Sequence, residues 1–241
     1  MKVRIKFKKY GPIRFIGHLD VMRYFQKAMR RAEIDIAYTT GFSPHQIMSF
    51  ASPLGVGLES NGEYMDIECN TVTSSRDMIH RLNAVAASGI EVIQVRELPD
   101  KAGNAMASVA AAGYTVRFRQ NREPKADLKK MLSRFLSQDQ ILITKETKNG
   151  IKEIDIKPGI FEMVITDKSS DLHSPAIYLK VDASSAGNIK PAKVIEALLH
   201  FCGEDLSENA LLITREETYT NIGDDSSPKL IPLGDVGKDI I

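Results

Sequence analysis

The densest run of chemistry-bearing side chains is GPIRFIGHLDVMRYFQKAMRRA, residues 11–32. His18 and Asp20 fall where the apolar periodicity of a helix begins, so both meet the positive end of its dipole. An imidazole with an ordinary pKa of about 6.5 can give or take a proton near neutral pH; Asp20 also fits an ordinary first-turn carboxylate. Arg23, Lys27, Arg30 and Arg31 follow at offsets of four, seven and eight residues, a stripe about 11 Å long at about 1.5 Å per residue. Such a span meets two or three successive phosphates, and arginine hydrogen-bonds phosphate or carboxylate in a fork. Arg14, in the turn before the helix, is a further candidate ligand for phosphate. The plainer alternative is a solvated helix face.

A second constellation is TTGFSPHQIMSFASPLGVGLESNGEYMD, residues 39–66, most of it in a motif loop expected over 35–62. Gly41, Phe42, Ser43, Pro44 and His45 form one cluster, and Ser60, Glu63, Tyr64 and Asp66 another. The glycines permit close backbone approach or positive φ, but no lysine and hydroxyl follow as a phosphate-binding P-loop requires. Glu63, Asp66 and Glu68 lack the histidine spacing of known metal motifs, and a solvated strand face explains them as well. No serine stands in a GxSxG elbow and neither cysteine has a histidine nearby, which disfavours a nucleophilic hydrolase. One enzymatic reading survives, a metal-independent RNA-cleaving or RNA-modifying activity with His18 and His45 as acid and base. Sequence spacing leaves open whether the two histidines converge.

Periodicity supplies the elements that must position these groups. Val3, Ile5 and Phe7 alternate with basic residues, predicting a strand over 2–8. Leu19, Met22, Phe25, Ala28, Met29 and Ala32 line one side of a helix over 19–32. After the Gly/Pro-rich loop come a strand at 64–69, a helix at 74–87 and a strand at 90–98. The same order then recurs: strand 113–119, helix 125–137, strand 140–145, a Gly-turned hairpin near 151–166, strand 176–182, helix 190–200 and strand 210–217. This predicts an α+β protein of tandem ferredoxin-like, split βαβ halves, with antiparallel sheets carrying their helices on one face. The expected divisions are an N-terminal domain at 1–100, a connector at 101–112 whose alanines favour a short helix, a C-terminal domain at 113–220 and a disordered tail at 221–241.

The 241 residues carry a net charge of only +1. Residues 1–48 nevertheless hold ten cationic side chains against three acidic ones, a surplus of seven that the rest of the chain offsets. A local positive field of this kind attracts polyanions. The opening MKVRIKFKK has no apolar stretch of a secretory signal and no later run could span a bilayer, so a cytoplasmic protein without membrane association is expected. Cys69 and Cys202 are the only cysteines, too few for a disulfide framework, a four-cysteine zinc site or a three-cysteine iron–sulfur site. No metal or cofactor is expected on this chain.

In combination, RFIGHLD at 14–20, RRA at 30–32, GFSPH at 41–45 and ESNGEYMDIE at 59–68, with weaker similarity through EIDIKPGI at 153–160, make the chain resemble the bacterial radical-SAM-linked proteins, a domain of unknown function. Gly17 stands where members more often have serine. The resemblance implies a partner, a radical SAM protein that would carry the iron–sulfur cluster and S-adenosylmethionine. The expectation is therefore an accessory or binding protein, without activity of its own, that presents an anionic substrate such as RNA, with tRNA the leading example, to that enzyme. A structural subunit that binds an acidic protein is a third reading. The paired halves also look similar in architecture to CRISPR repeat-processing endoribonucleases, an analogy of fold and charge only.

Overall fold

A computed structural model describes residues 1–147, 150–166, 175–224 and 227–241. It is an α+β protein with antiparallel strand pairing within each of its sheets' described hairpins and crossovers, and it divides into two compact units. The first comprises Met1–Ala111 and Arg215–Ile241, the second Ala112–Thr214.

The first unit contains β1 (Lys2–Lys9), α1 (His18–Arg31), β2 (Met48–Phe50), β3 (Glu59–Glu68), α2 (Ser75–Ala84) and β4 (Ile90–Glu97). β1 lies between β4 and β3, and β2 pairs with β3. This is the order of a split βαβ unit, in which each helix crosses over a strand inserted between its two neighbours. The period-2 pattern of β1 works as expected: Val3, Ile5 and Phe7 are buried in the core with Val21, Phe25, Ala28 and Met29 of α1 and Met78 and Leu82 of α2. Fully burying a side chain such as Phe25 contributes roughly 1.5–3 kcal/mol. Ser74 caps α2 by accepting a 3.2 Å hydrogen bond from the Asp77 N–H. On the opposite face of the sheet Arg4 is also buried, against expectation for a basic strand face. Its guanidinium donates to both carboxylate oxygens of Asp66, at 2.7 and 2.8 Å, and to the Leu233 carbonyl at 3.0 Å.

The second unit contains most of β5 (Ala111–Phe118), α3 (Leu128–Leu136), β6 (Leu142–Thr147), β7 (Gly150–Asp155), β8 (Ile160–Ile165), β9 (Ile177–Asp182), α4 (Pro191–Phe201) and the start of β10 (Leu211–Asn221). β9 lies between β5 and β8. Tyr114, Val116 and Phe118 of β5 share a core with Leu128 and Phe135 of α3 and Val194, Ile195 and Leu198 of α4.

Four expectations need correction. The hairpin near 151–166 does not form: β7 pairs with β6 and β8 with β9, because the 3-10 turn Lys157–Gly159 redirects the chain between them. The alanine-rich connector makes only turns, with Asn104 accepting from the Ala107 N–H and from Ser108; one turn between glycines is too short to repay helix nucleation. Residues 215–220 belong to the first unit and not to the second. The segment beyond 221 is not a frayed tail among its described residues. It forms β11 (Leu230–Pro232) against β10 and a 3-10 turn at Leu233–Val236, with Leu233 fully buried. Asp225 and Ser226 lie outside the described residues.

Candidate nucleic-acid interface

The exposed face of α1 bears the basic stripe. Arg23, Lys27, Arg30 and Arg31 are all exposed. Arg23 reaches Asp20 at 3.3 Å, with both side chains more than half exposed, so that pair is worth little. Lys27, Arg30 and Arg31 have no carboxylate partner among the described residues. The helix places them there because its buried residues occupy the other side. Arg14 stands apart from the stripe: it donates to Glu59 at 2.9 Å, lies 4.9 Å from the Phe15 ring centroid and keeps its Nε buried without a partner.

The motif loop meets the stripe at one place. Gln26 and Arg30 of α1, together with Tyr38, Pro44, His45 and Gln46, line an open depression of about 210 Å³. Its geometry is set locally. An isolated strand-like bridge joins Tyr38 to Gln46, and Gly41 turns the intervening chain at φ +114. Phe42 projects fully into solvent. Thr39 Oγ1 accepts the His45 N–H at 3.1 Å and lies 3.0 Å from His45 Nδ1, with the Ser43 carbonyl at 3.4 Å from the same nitrogen. Gln46 Nε2 donates to the Gln26 carbonyl at 3.2 Å and to the Tyr38 hydroxyl at 3.4 Å, whereas its Oε1 is buried with no partner.

His18 belongs to a different place. It opens α1 behind Gly17, and its ring packs edge-on to Phe50 at 5.1 Å. It lines a cavity of about 10 Å³ with Lys9, Val21, Ser52 and Glu63, enough for one water at most. Lys9 donates to the Ile16 carbonyl at 3.0 Å, and burial, reinforced by Arg215, holds its pKa below the usual lysine value against the opposing pull of Glu63. Glu63 accepts from Arg215 at 3.0 Å. This cluster anchors the turn before α1. Arg30 and His45 thus line one depression, whereas His18 lines another.

The remaining motif residues are divided by the alternation of β3. Ser60 is buried, its Oγ accepting the Gly62 N–H at 3.1 Å. Tyr64 donates to Glu217 at 2.7 Å, and burial followed by that carboxylate's charge raises its pKa. Asp66 is engaged by Arg4. Glu63, Tyr64 and Asp66 hold the first unit together and do not face the stripe. Lys9, Tyr38, Gln46 and Arg215 were not singled out as site residues by spacing. For Tyr38 and Gln46 the available signal is their nearness in sequence to GFSPH; the others carry none.

Among the described residues no group of three or more His, Cys, Asp or Glu is placed to hold a metal ion, and no helix is long and apolar enough to cross a membrane. Cys69 is buried in the first unit and Cys202 belongs to the second. A family model described as an uncharacterized protein conserved in bacteria (DUF2344) matches residues 2–191. No curated protein matches the chain.

Proposed function

This chain belongs to the DUF2344 family of uncharacterized proteins conserved in bacteria, and we propose that it is a binding protein, without catalysis of its own, that holds RNA such as tRNA along α1 and presents it to a separate radical SAM enzyme in the cytoplasm. The observation that carries the reading is the stripe itself: four exposed cations on one helix, three of them without a carboxylate partner among the described residues. Unneutralised charge at this spacing suits successive phosphates, whose counterions are released on contact. The depression at Arg30 adds an aromatic ring and amide groups beside the charges, a combination that suits nucleic acid more than a smooth acidic surface.

The enzyme partner is inferred from the family resemblance and from the cysteine count, since two thiols cannot supply the three cluster ligands. S-adenosylmethionine and the cluster would then both reside on that partner. A second reading, docking of an acidic protein, draws on the same exposed cations and on the exposed Phe15, an aromatic of the kind enriched at protein interfaces. Binding of total RNA measured across a salt series tests the main proposal. Affinity should fall linearly on a logarithmic scale with salt, by about 0.7 per phosphate contact on a single strand. No salt-dependent affinity at low ionic strength would leave only the protein-docking reading.

A further inference from the structure

Resting on the RNA-binding reading, we infer that the depression between α1 and the motif loop receives one unpaired nucleobase, so that the ligand is single-stranded RNA, or RNA with an extruded base, and not an uninterrupted duplex. Four features of the depression converge on a planar, hydrogen-bonding heterocycle. Tyr38 leaves half of its surface exposed and is absent from the packed core of the unit, so its ring is available as a stacking face. His45 commits Nδ1 to its own loop and leaves Nε2 without a protein partner among the described residues. Gln46 is 6 % exposed, and its amide is oriented by the bonds from Nε2 to the Gln26 carbonyl and to the Tyr38 hydroxyl, which also holds the Tyr38 ring at the rim of the depression. Its Oε1 is consequently a buried acceptor with nothing to accept from, an arrangement rare enough in folded proteins to call for a ligand or water. An exocyclic amino group or ring N–H of a base, reached by a small shift of the loop, would satisfy it.

The chemistry of the walls selects among ligands. A free nucleotide needs its phosphates neutralised at the site, yet among the described residues Arg30 is the one lysine or arginine lining the depression. The other cations continue along α1 toward Arg23, about 10 Å away at 1.5 Å per residue. Phosphates laid along that stripe with a ring in the depression belong to a polymer. A duplex buries its base faces in its own stack and offers none to Tyr38, whereas recognition of unpaired bases by aromatic rings and polar edges is the usual mode for single-stranded RNA. Phe42, fully exposed on the same loop, offers a second stacking face for a neighbouring base.

The experiment uses the full chain and RNA oligonucleotides of one length, single-stranded or duplex, at one fixed salt concentration, with 2-aminopurine substituted at each position in turn. The single strand should bind about tenfold tighter than the duplex, the order expected for one stacked base, and fluorescence should be quenched at a stacked position in the wild-type complex. Tyr38→Ala should lose about that tenfold together with the quench, while leaving the salt slope unchanged; Tyr38→Phe should keep both. Equal binding of strand and duplex, or a Tyr38→Ala chain of wild-type circular dichroism that retains affinity and quench, overturns the base pocket while the salt slope still upholds RNA binding. Displacement of the RNA by polyglutamate at equal charge concentration overturns it also, in favour of an acidic protein. Wild-type protein without any salt-dependent RNA affinity removes both readings at once and is told apart by needing no variant.

Discussion

Arg215 and Glu63 form a 3.0 Å ion pair although 152 residues separate them, and their side chains are only 5 % and 8 % exposed. Arg215 also donates to the Ser52 carbonyl at 3.0 Å, so one guanidinium joins the returning end of the chain to β3 and to the loop after β2. Lys9 stands near the same carboxylate. Removing one member of a buried pair strands the other charge, so Arg215→Met is expected to cost about 3–5 kcal/mol. Urea unfolding measures it, and the double variant Arg215→Met, Glu63→Leu should lose less than the sum of the single changes. Additive losses would show that the pair is not coupled.

The C-terminal segment should be required for the first unit. Deleting residues 222–241 removes Leu233 from the core, the carbonyl that Arg4 reaches, and the two hydrogen bonds between Ser75 and Ile240. The thermal midpoint of the shortened chain should fall clearly, followed by circular dichroism. An unchanged midpoint would mean that these contacts carry no net stability.

At Gly62, β3 lies against the backbone of β10. A Cβ there would stand 2.7 Å from the Glu216 carbonyl oxygen and 2.7 Å from the Glu217 Cα, both backbone atoms that cannot rotate aside. Gly62→Ala should therefore destabilise the protein by about 1–3 kcal/mol, the usual range for overpacking, whereas Gly17→Ala meets open space and should cost only the difference between glycine and alanine at the helix N-cap, about 0.5–1 kcal/mol. Denaturant midpoints of the two variants give the comparison.

Charge removal on α1 should change the salt dependence of RNA binding and little else. Arg23→Ala with Arg30→Ala should flatten the logarithmic salt slope by about 1.4, at about 0.7 for each lost phosphate contact. His18→Ala should leave the slope as it is, because His18 packs against Phe50 and lines a cavity that none of the stripe's cations enters. A slope that responds to His18 and not to the arginines would move the binding surface elsewhere.

Burial pushes the Cys69 thiol up to about 11 from its ordinary value of 9.0. The folded protein therefore keeps this proton while the unfolded chain loses it. The stabilising contribution is complete below pH 9 and is lost as pH rises from 9.0 to about 11, since stability falls wherever the native state binds more protons. Lys9, whose pKa burial lowers, contributes with the opposite sign just below the lysine range. Comparing the pH dependence of urea midpoints for wild type and Cys69→Ala isolates the thiol, and equal slopes in the two proteins would refute the shift.

Local periodicity alone determined most of the elements. The alternation Val3, Ile5, Phe7 and the three- and four-residue spacing from Leu19 to Ala32 are properties of neighbours in sequence, and the strand and helix they specify appear within a residue or two of expectation. The basic stripe was legible for the same reason, because 3.6 residues per turn bring Arg23, Lys27, Arg30 and Arg31 to one side whatever the rest of the chain does. Tertiary structure decided everything that depends on pairing across long separations. Whether Asp66 faces solvent or Arg4, whether Glu63 meets Lys9 and Arg215, and whether residues 230–236 fray or cover a buried arginine are settled by which strands become neighbours, and a side chain carries no local mark of its distant partner. The Gly- and Pro-rich composition after Asn221 signals turns equally well in a loose tail and in one pinned by Leu233. The two histidines show the same limit: nothing in their spacing distinguishes convergence from separation, and the packing of His18 against Phe50 and of His45 against Thr39 puts them in different cavities.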